Sequence, residues 1–347
     1  MKKIKVAIWG LGRAGWGMHT HEIDRCSGCY EIAGCYDILP ERMAQMQKKY
    51  PACKAYSSPE EMLADPEIEL VAVAVRSRDH VKFDIQVLEA GKHLIAEKPI
   101  AISYAEAMKL KEVSDRHPGK MFCRQNRRFE ACFQQVQEII REGILGDIYE
   151  IKLCRHNYQR RADWQALKSC AGGQLNNWGP HLIDHALQFI HAPLESVWSD
   201  LRLVAAMGDA EDHFKAVLRG TNKIVVDIEV SGGVAIPAPV YAVYGTRGTL
   251  ISQDEKEIQL KYADTEKTEP AEPASDATPP NEGVFGANKP IVWIEETRTV
   301  APASGLTVDD FYKVVYRTLA EGAPYPVKPE EAFEVVRVTE MIRNGHI

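Results

Sequence analysis

Long apolar runs are missing from this 347-residue sequence. No stretch approaches the roughly 20 consecutive apolar residues that cross a bilayer, so no membrane role is expected. Basic charge is in short supply too, with 42 Lys and Arg against 49 Asp and Glu and a formal net charge of -7. The electrostatic footprint that grips nucleic-acid phosphates is therefore lacking, and only Arg124, Arg127 and Arg128 suggest a local basic patch. No nucleic-acid partner is expected. No apolar leader with a small-residue cleavage site separates Met1-Lys2-Lys3 from the strand-like 4–9, which points to a cytoplasmic location. Cysteines number 8 and are scattered through strand and helix patterns, so buried thiols are expected rather than a disulfide framework. His19, His21, Cys26 and Cys29 look briefly like a zinc set. Residues two apart point to different sides of a helix, however, and no second CxxC completes a tetrahedral site, so no metal is expected. Internal repeats, a P-loop and a Ser-His-Asp order are also missing.

What is present is an ordinary globular composition, 45% hydrophobic and 26% charged. Single cores stop growing near ~250–300 residues, so two domains are expected. Through the first third, short apolar strands at 4–9, 31–36, 70–75, 93–96 and 121–124 alternate with helical patterns at 40–50, 81–90 and 103–116. Ser103 and Asp79 are candidate caps. The alternation predicts an α/β, doubly wound parallel sheet of the Rossmann kind over 1–124. After a helix at 131–142 the strands lengthen, at 148–155, 224–230 and 240–244, with hairpin turns at 219–222 and 245–248. Residues 125–347 are expected to form a mixed, largely antiparallel sheet with helices on one face, closed by amphipathic helices at 308–321 and 329–344. Between them, 262–290 is crowded with Glu, Asp, Thr, Ala and Pro and reads as a mobile acidic surface insertion.

Strand 4–9 runs into Gly10-Leu11-Gly12-Arg13-Ala14-Gly15. At a strand-to-helix turn, Gly10 permits the tight bend, Gly12 lets the backbone approach a pyrophosphate, and Gly15 lets helix and strand pack closely. The helix N-terminus, with Arg13 and Ala14 in its first turn, offers N–H groups and positive dipole to the phosphates. Asp37 ends the next strand, where its carboxylate suits ribose hydroxyls and repels a ribose phosphate. NAD is therefore expected over NADP, with Arg42 as the nearby cation able to reverse that preference and helix capping as an alternative role for Asp37.

Lys98 follows strand 93–96 at the carboxyl edge, where open α/β sheets bind ligands. Far downstream, Gly172-Gly173-Gln174-Leu175-Asn176-Asn177-Trp178-Gly179-Pro180-His181 begins a helix, so Asn177, His181 and Asp184 share one side. An imidazole with an ordinary pKa near ~6.5 suits proton exchange with an alcohol at neutral pH. Asp184 is a candidate to orient that imidazole or to bind substrate. Tyr158, Trp164 and Trp178 offer flat faces to sugar C–H groups, with Arg160, Arg161 and Asp163 nearby, and Asn126 opens the second domain where it can line the cleft.

The glycine turn, Glu97-Lys98-Pro99, and the glycine-rich segment ending in His181 with Asp184 resemble the Gfo/Idh/MocA family of NAD(P)-dependent sugar and polyol oxidoreductases, in the same order from end to end. The resemblance implies catalysis by Lys98 and His181, with His181 as the preferred acid/base. It implies cofactor contacts from Glu97, Ser77 and His80, although Val75-Arg76-Ser77 stands where relatives often carry Thr-Pro-Asn. It also implies that the open face of the second sheet packs into a homodimer or homotetramer. Asn177 departs from the aspartate many relatives carry, since an amide orients and recognises but exchanges no charge. The expected activity is hydride transfer between nicotinamide and a hydroxyl or keto carbon of a sugar, polyol or glycoside. Alternatives are an NAD-dependent glycosidase acting through a transient keto-sugar and a non-catalytic sugar sensor.

Overall fold

A computed structural model describes residues 3–270, 273–277, 289–301 and 304–345. In its first part, β1 (Ile4–Trp9), β2 (Tyr30–Tyr36), β3 (Lys54–Ala55), β4 (Leu70–Val73), β5 (His93–Ala96) and β6 (Met121–Cys123) form one sheet in the order β3-β2-β1-β4-β5-β6. Every pairing is parallel. β4 is buried along its whole length, as a strand covered on both faces must be. The strand order reverses between β1 and β4, which opens a crevice at their carboxyl ends. Gly10, Asp37 and Lys98 all lie just beyond strand ends on that edge.

The crossovers are α1 (Thr20–Arg25), α2 (Pro40–Lys49), α3 (Pro59–Ala64), α4 (His80–Glu89) and α5 (Tyr104–Arg116). Ser103 caps α5 as expected, its hydroxyl accepting from the Glu106 N–H at 3.2 Å. Asp79 makes no such bond. A 3-10 turn over Ser77–Asp79 leads straight into α4, so Asp79 already has helical backbone and the extended geometry of an N-cap is lost. Strand β3, only two residues long, has too little periodicity to be read in sequence.

The second sheet combines β7 (Ile148–His156), β8 (Leu194–Arg202), β9 (His213–Gly220), β10 (Val225–Ser231), β11 (Tyr241–Gly245), β12 (Gly248–Ser252), β13 (Glu257–Ala263) and β14 (Trp293–Thr299). Their order is β14-β13-β12-β11-β7-β10-β9-β8, antiparallel except where β10 meets β7. One face packs on α6 (Ala131–Glu142), α8 (Gly179–Ile190), which the short α7 (Gln174–Asn177) precedes, and α10 (Pro329–Asn344), with Phe133, Ile183, Leu218, Ile228 and Val338 in a common core. Of the acidic segment 262–290, the backbone of Asp264 donates to the Val292 carbonyl at 2.8 Å and closes the β13–β14 pair. Within the stretch expected to be mobile, 271–272 and 278–288 lie outside the described residues.

Helix α9 (Phe311–Glu321) follows the second sheet in sequence but buries Phe311, Tyr312 and Val315 with Val6, Ile8 and Ile95 of the first. Helix α10 places Phe333 and Val336 in the first sheet's core and Val335 and Val338 in the second's. The crevice therefore lies between two sheets braced by one helix.

Candidate active site

The glycine turn separates structural from accessible positions. Gly10 has φ 95°, and a Cβ there would sit 2.6 Å from the Ala74 carbonyl oxygen. A Cβ on Gly15 would fall 1.9 Å from the Gly10 oxygen, so helix and strand meet with no room for a side chain. Gly12 is different: its Cβ would meet only the Arg42 guanidinium at 4.0 Å, leaving backbone open to a ligand. Beyond it the chain winds as a wide π-turn over Arg13–His19 before α1, with Arg13 exposed. The Asp37 carboxylate accepts from the Leu11 N–H at 2.6 Å and the Leu39 N–H at 2.9 Å, with an Arg42 guanidinium nitrogen 3.4 Å away. It thereby ties the end of β2 to the glycine turn. Open backbone at Gly12, a helix start and a fixed carboxylate on the neighbouring strand end fit a dinucleotide.

Lys98 is half-buried, and desolvation pushes its pKa down to about 8 against the opposing pull of Glu97. Its Nζ donates to the Asn177 carbonyl at 2.7 Å, with the Asn177 Oδ1 at 3.4 Å. Lys98, Ser77, Trp164 and Asn177 line a small open pocket at this edge. Glu97 does not face it. Its carboxylate turns inward, 3.2 Å from the Arg124 guanidinium and 3.1 Å from His19 Nε2. Arg124 also bonds Glu22, and His19 Nδ1 lies 2.9 Å from the Tyr312 hydroxyl on α9. Burial alone would raise the Glu97 pKa, but Arg124 and then His19 outweigh it and hold the carboxyl below its usual range. Glu22 is pushed up to about 7 by burial, against Arg124. The expected surface patch is thus corrected: Arg124 is a core residue, 2% exposed, neutralised by carboxylates distant in sequence. Its partners explain why composition hid it.

His80, expected at the cofactor, is also internal. Its Nδ1 lies 2.8 Å from the Pro99 carbonyl and its Nε2 3.3 Å from the Val75 carbonyl, so it fastens the Lys98 turn to the end of the neighbouring strand.

His181 enters through the first turn of α8 and is 6% exposed. Burial, then the charges of Lys98 and Arg127, hold its pKa well below the ordinary value, so the ring is neutral at pH 7. Its Nδ1 is buried with no hydrogen-bond partner. It adjoins Lys98 electrostatically but does not line the Lys98 pocket. Asp184 does not orient the ring. Its two oxygens accept from Arg128 at 2.7 and 2.5 Å, and Arg128 reaches on to Glu331 at 2.7 Å, tying α8 to α10. A bidentate guanidinium takes up the lone pairs that substrate or imidazole would need.

Trp178 is wedged against the Arg127 guanidinium at 4.1 Å and that of Arg155 at 5.2 Å rather than turned to the pocket. Asn126 spends its amide on the Val308 carbonyl at 3.4 Å. Tyr158 is 62% exposed and does not line the Lys98 pocket. Gln165 and Glu211, which sequence reasoning missed, approach the site beside Gly173, and neither carries a local motif that would mark it.

A doubly wound sheet with an open glycine turn, a half-buried lysine of lowered pKa and a buried neutral histidine defines a dinucleotide-linked oxidoreductase. Comparison with known proteins makes this specific. Residues 4–124 match the model of the oxidoreductase family with NAD-binding Rossmann fold, and 133–251 match the GFO/IDH/MocA C-terminal domain. The chain belongs to the Gfo/Idh/MocA family and is an oxidoreductase. It is similar to the scyllo-inositol 2-dehydrogenase (NADP(+)) of Bacillus subtilis, 26% identical over 97% of this chain and 92% of that one. It also resembles the myo-inositol 2-dehydrogenase of Thermotoga maritima, 26% identical over 43% of this chain and 44% of the relative. Among solved structures, an NAD-binding protein from Listeria innocua superposes with a TM-score of 0.80 at 26% identity, covering 99% and 95% of the two chains.

Proposed function

We propose that the protein is an NAD-dependent dehydrogenase that oxidises a secondary alcohol on a sugar, polyol or glycoside ring, or reduces the matching ketone. The carrying observation is Lys98, whose ammonium sits at a strand's carboxyl end with a pKa of about 8. A bound nicotinamide supplies the hydride acceptor. Neutral Lys98 takes the hydroxyl proton, and its charged form stabilises the oxygen in the reverse direction. His181 serves as a neutral hydrogen-bonding partner, because its buried Nδ1 has no acceptor to stabilise an imidazolium. This exchanges the roles expected from sequence, where His181 was the preferred base. Asn177 holds Lys98 in place through its carbonyl. Arg13, Ala14 and the open face of Gly12 are assigned to the pyrophosphate. Asp37 is assigned to the adenosine ribose, in favour of NAD, because a phosphate there would face a buried carboxylate. Inositol oxidation by two relatives supports the polyol assignment.

The test is to record NADH absorbance while supplying cyclitols, aldoses and glycosides. NADH formation with a ring alcohol is expected. Release of an aglycone without net NADH would instead favour the glycosidase mechanism, and tight sugar binding with neither signal would favour a sensor.

A further inference from the structure

The two cysteines of the apparent zinc set are brought together by the fold. Cys26 closes α1, Cys29 leads into β2, and the Cys29 N–H donates to the Cys26 carbonyl at 2.7 Å. The Tyr30 N–H reaches the same carbonyl at 3.2 Å. A turn closed in this way holds its end Cα atoms within ~7 Å, and a disulfide needs roughly 4.4–6.8 Å. The two thiols are near enough to act on each other electrostatically. CxxC beside a β–α–β unit is the spacing of dithiol redox chemistry. No metal claims the pair. His19 is spent on Tyr312 and Glu97, and among the described residues no group of three His, Cys, Asp or Glu side chains could hold an ion.

Access separates this pair from its neighbours. Cys26 and Cys29 are half-buried on either side of Ser27 and Gly28, which are exposed, and a Cβ on Gly28 would meet nothing within 4 Å. Cys35 and Cys53 also meet thiol to thiol, but at 0% and 2% exposure they are closed to a reagent in the folded chain. Within the open pair the thiols are unequal. Burial and then Cys29 push the Cys26 thiol up, Asp310 acts in the same sense, and Lys313 and Arg25 oppose them. Cys26 also stands at the C-terminal end of α1, where the helix carbonyls disfavour a thiolate.

We propose that Cys26 and Cys29 form a reversible redox modification site, at which a small disulfide such as glutathione disulfide converts the dithiol into an intramolecular disulfide. Cys29 loses its proton to solvent and attacks one sulfur of glutathione disulfide. That S–S bond breaks, and the first glutathione leaves as a thiolate that takes up a proton. Cys26 then gives up its proton, attacks the Cys29 sulfur of the mixed disulfide and displaces the second glutathione. Two protein thiols are oxidised, and one glutathione disulfide is reduced to two thiols. The turn lies at the amino end of β2, whereas Asp37 and the crevice lie at its carboxyl end, so the inference stands apart from the hydride-transfer reading.

The test is to incubate the protein with excess glutathione disulfide, quench with acid, unfold it, count the remaining thiols and weigh the tryptic peptide 26–42. Thiols are expected to fall by two from the eight of the reduced chain, with peptide 26–42 lighter by two hydrogens and no glutathione retained. Dithiothreitol should restore all eight. Cys26→Ser should keep glutathione on Cys29, and Cys29→Ser should take it up more slowly, with NADH titration of each variant reporting an intact fold. Eight thiols after treatment, glutathione held as a stable adduct on the unaltered protein, or a cross-link from peptide 26–42 to Cys53 overturns the site. Faster uptake by Cys29→Ser than by Cys26→Ser overturns the assigned order of attack.

Discussion

Burial drives both Lys98 and His181 toward their neutral forms, but leaves them unequal as proton acceptors. A lysine near pH 8 still holds a proton firmly once it takes one, whereas an imidazole held well below its ordinary pKa does not. In the oxidation direction kcat/KM should therefore rise with pH and level off above about 8. The sign follows from the role, since only deprotonated Lys98 accepts. Lys98→Met should remove that rise and reduce single-turnover NADH formation by roughly 10²- to 10⁴-fold while NAD still binds. A profile unchanged by the substitution would assign the proton elsewhere. Asp37 tests the cofactor at the same scale: Asp37→Ala should narrow the margin of NAD over NADP in paired titrations, and tighter NADP binding by the unaltered protein would overturn the assignment. Lys98 and Asp37 were legible because each stands at a strand end that local pattern defines. The commitment of Asp184 to Arg128 was not, because the guanidinium arrives from 56 residues away.

Among the elements, the glycine turn and the Glu22–Arg124–Glu97 chain behave differently under substitution. Gly10→Ala and Gly15→Ala place a methyl against backbone, so both should lower the melting temperature. Gly12→Ala meets nothing closer than 4.0 Å and should fold normally while binding dinucleotide poorly. Melting curves with and without NAD distinguish these outcomes. For Glu22, the folded pKa of about 7 lies above the ordinary 4.5, so the folded state holds the extra proton between those values. Its contribution is full below 4.5 and is lost as pH rises through about 7. Glu22→Gln should therefore flatten the fall in melting temperature between those pH values; an unchanged slope would place the proton elsewhere in the network. Glycine spacing and strand patterns exposed the first element, since both are local. The ion chain was invisible because it joins α1, the end of β5 and the end of β6 only after folding.

Across the whole molecule, the sequence pattern correctly separates a parallel sheet from a mostly antiparallel one, since the period of apolar residues changes after residue 124. It does not reveal that α9 returns to the first sheet, because an amphipathic helix carries no label for the surface it will cover. The same ambiguity applies to the second sheet's outer face. Its inner face is closed by α6, α8 and α10, while the outward positions of β8 and β14 leave Trp198 46% and Trp293 45% exposed. Lys215 pairs there with Asp227 at 3.1 Å and Glu229 at 3.2 Å, so part of the face's charge is neutralised within the sheet. Exposed aromatics on a sheet face that no helix covers favour self-association across a two-fold axis. The protein should therefore sediment as a dimer or larger, and Trp198→Glu should shift it toward monomer, because twofold symmetry presents each introduced carboxylate to its partner's sheet. Sedimentation velocity on both proteins decides this. An unaltered protein that stays monomeric across the accessible concentration range would remove the outer face as an interface without touching the active-site assignment.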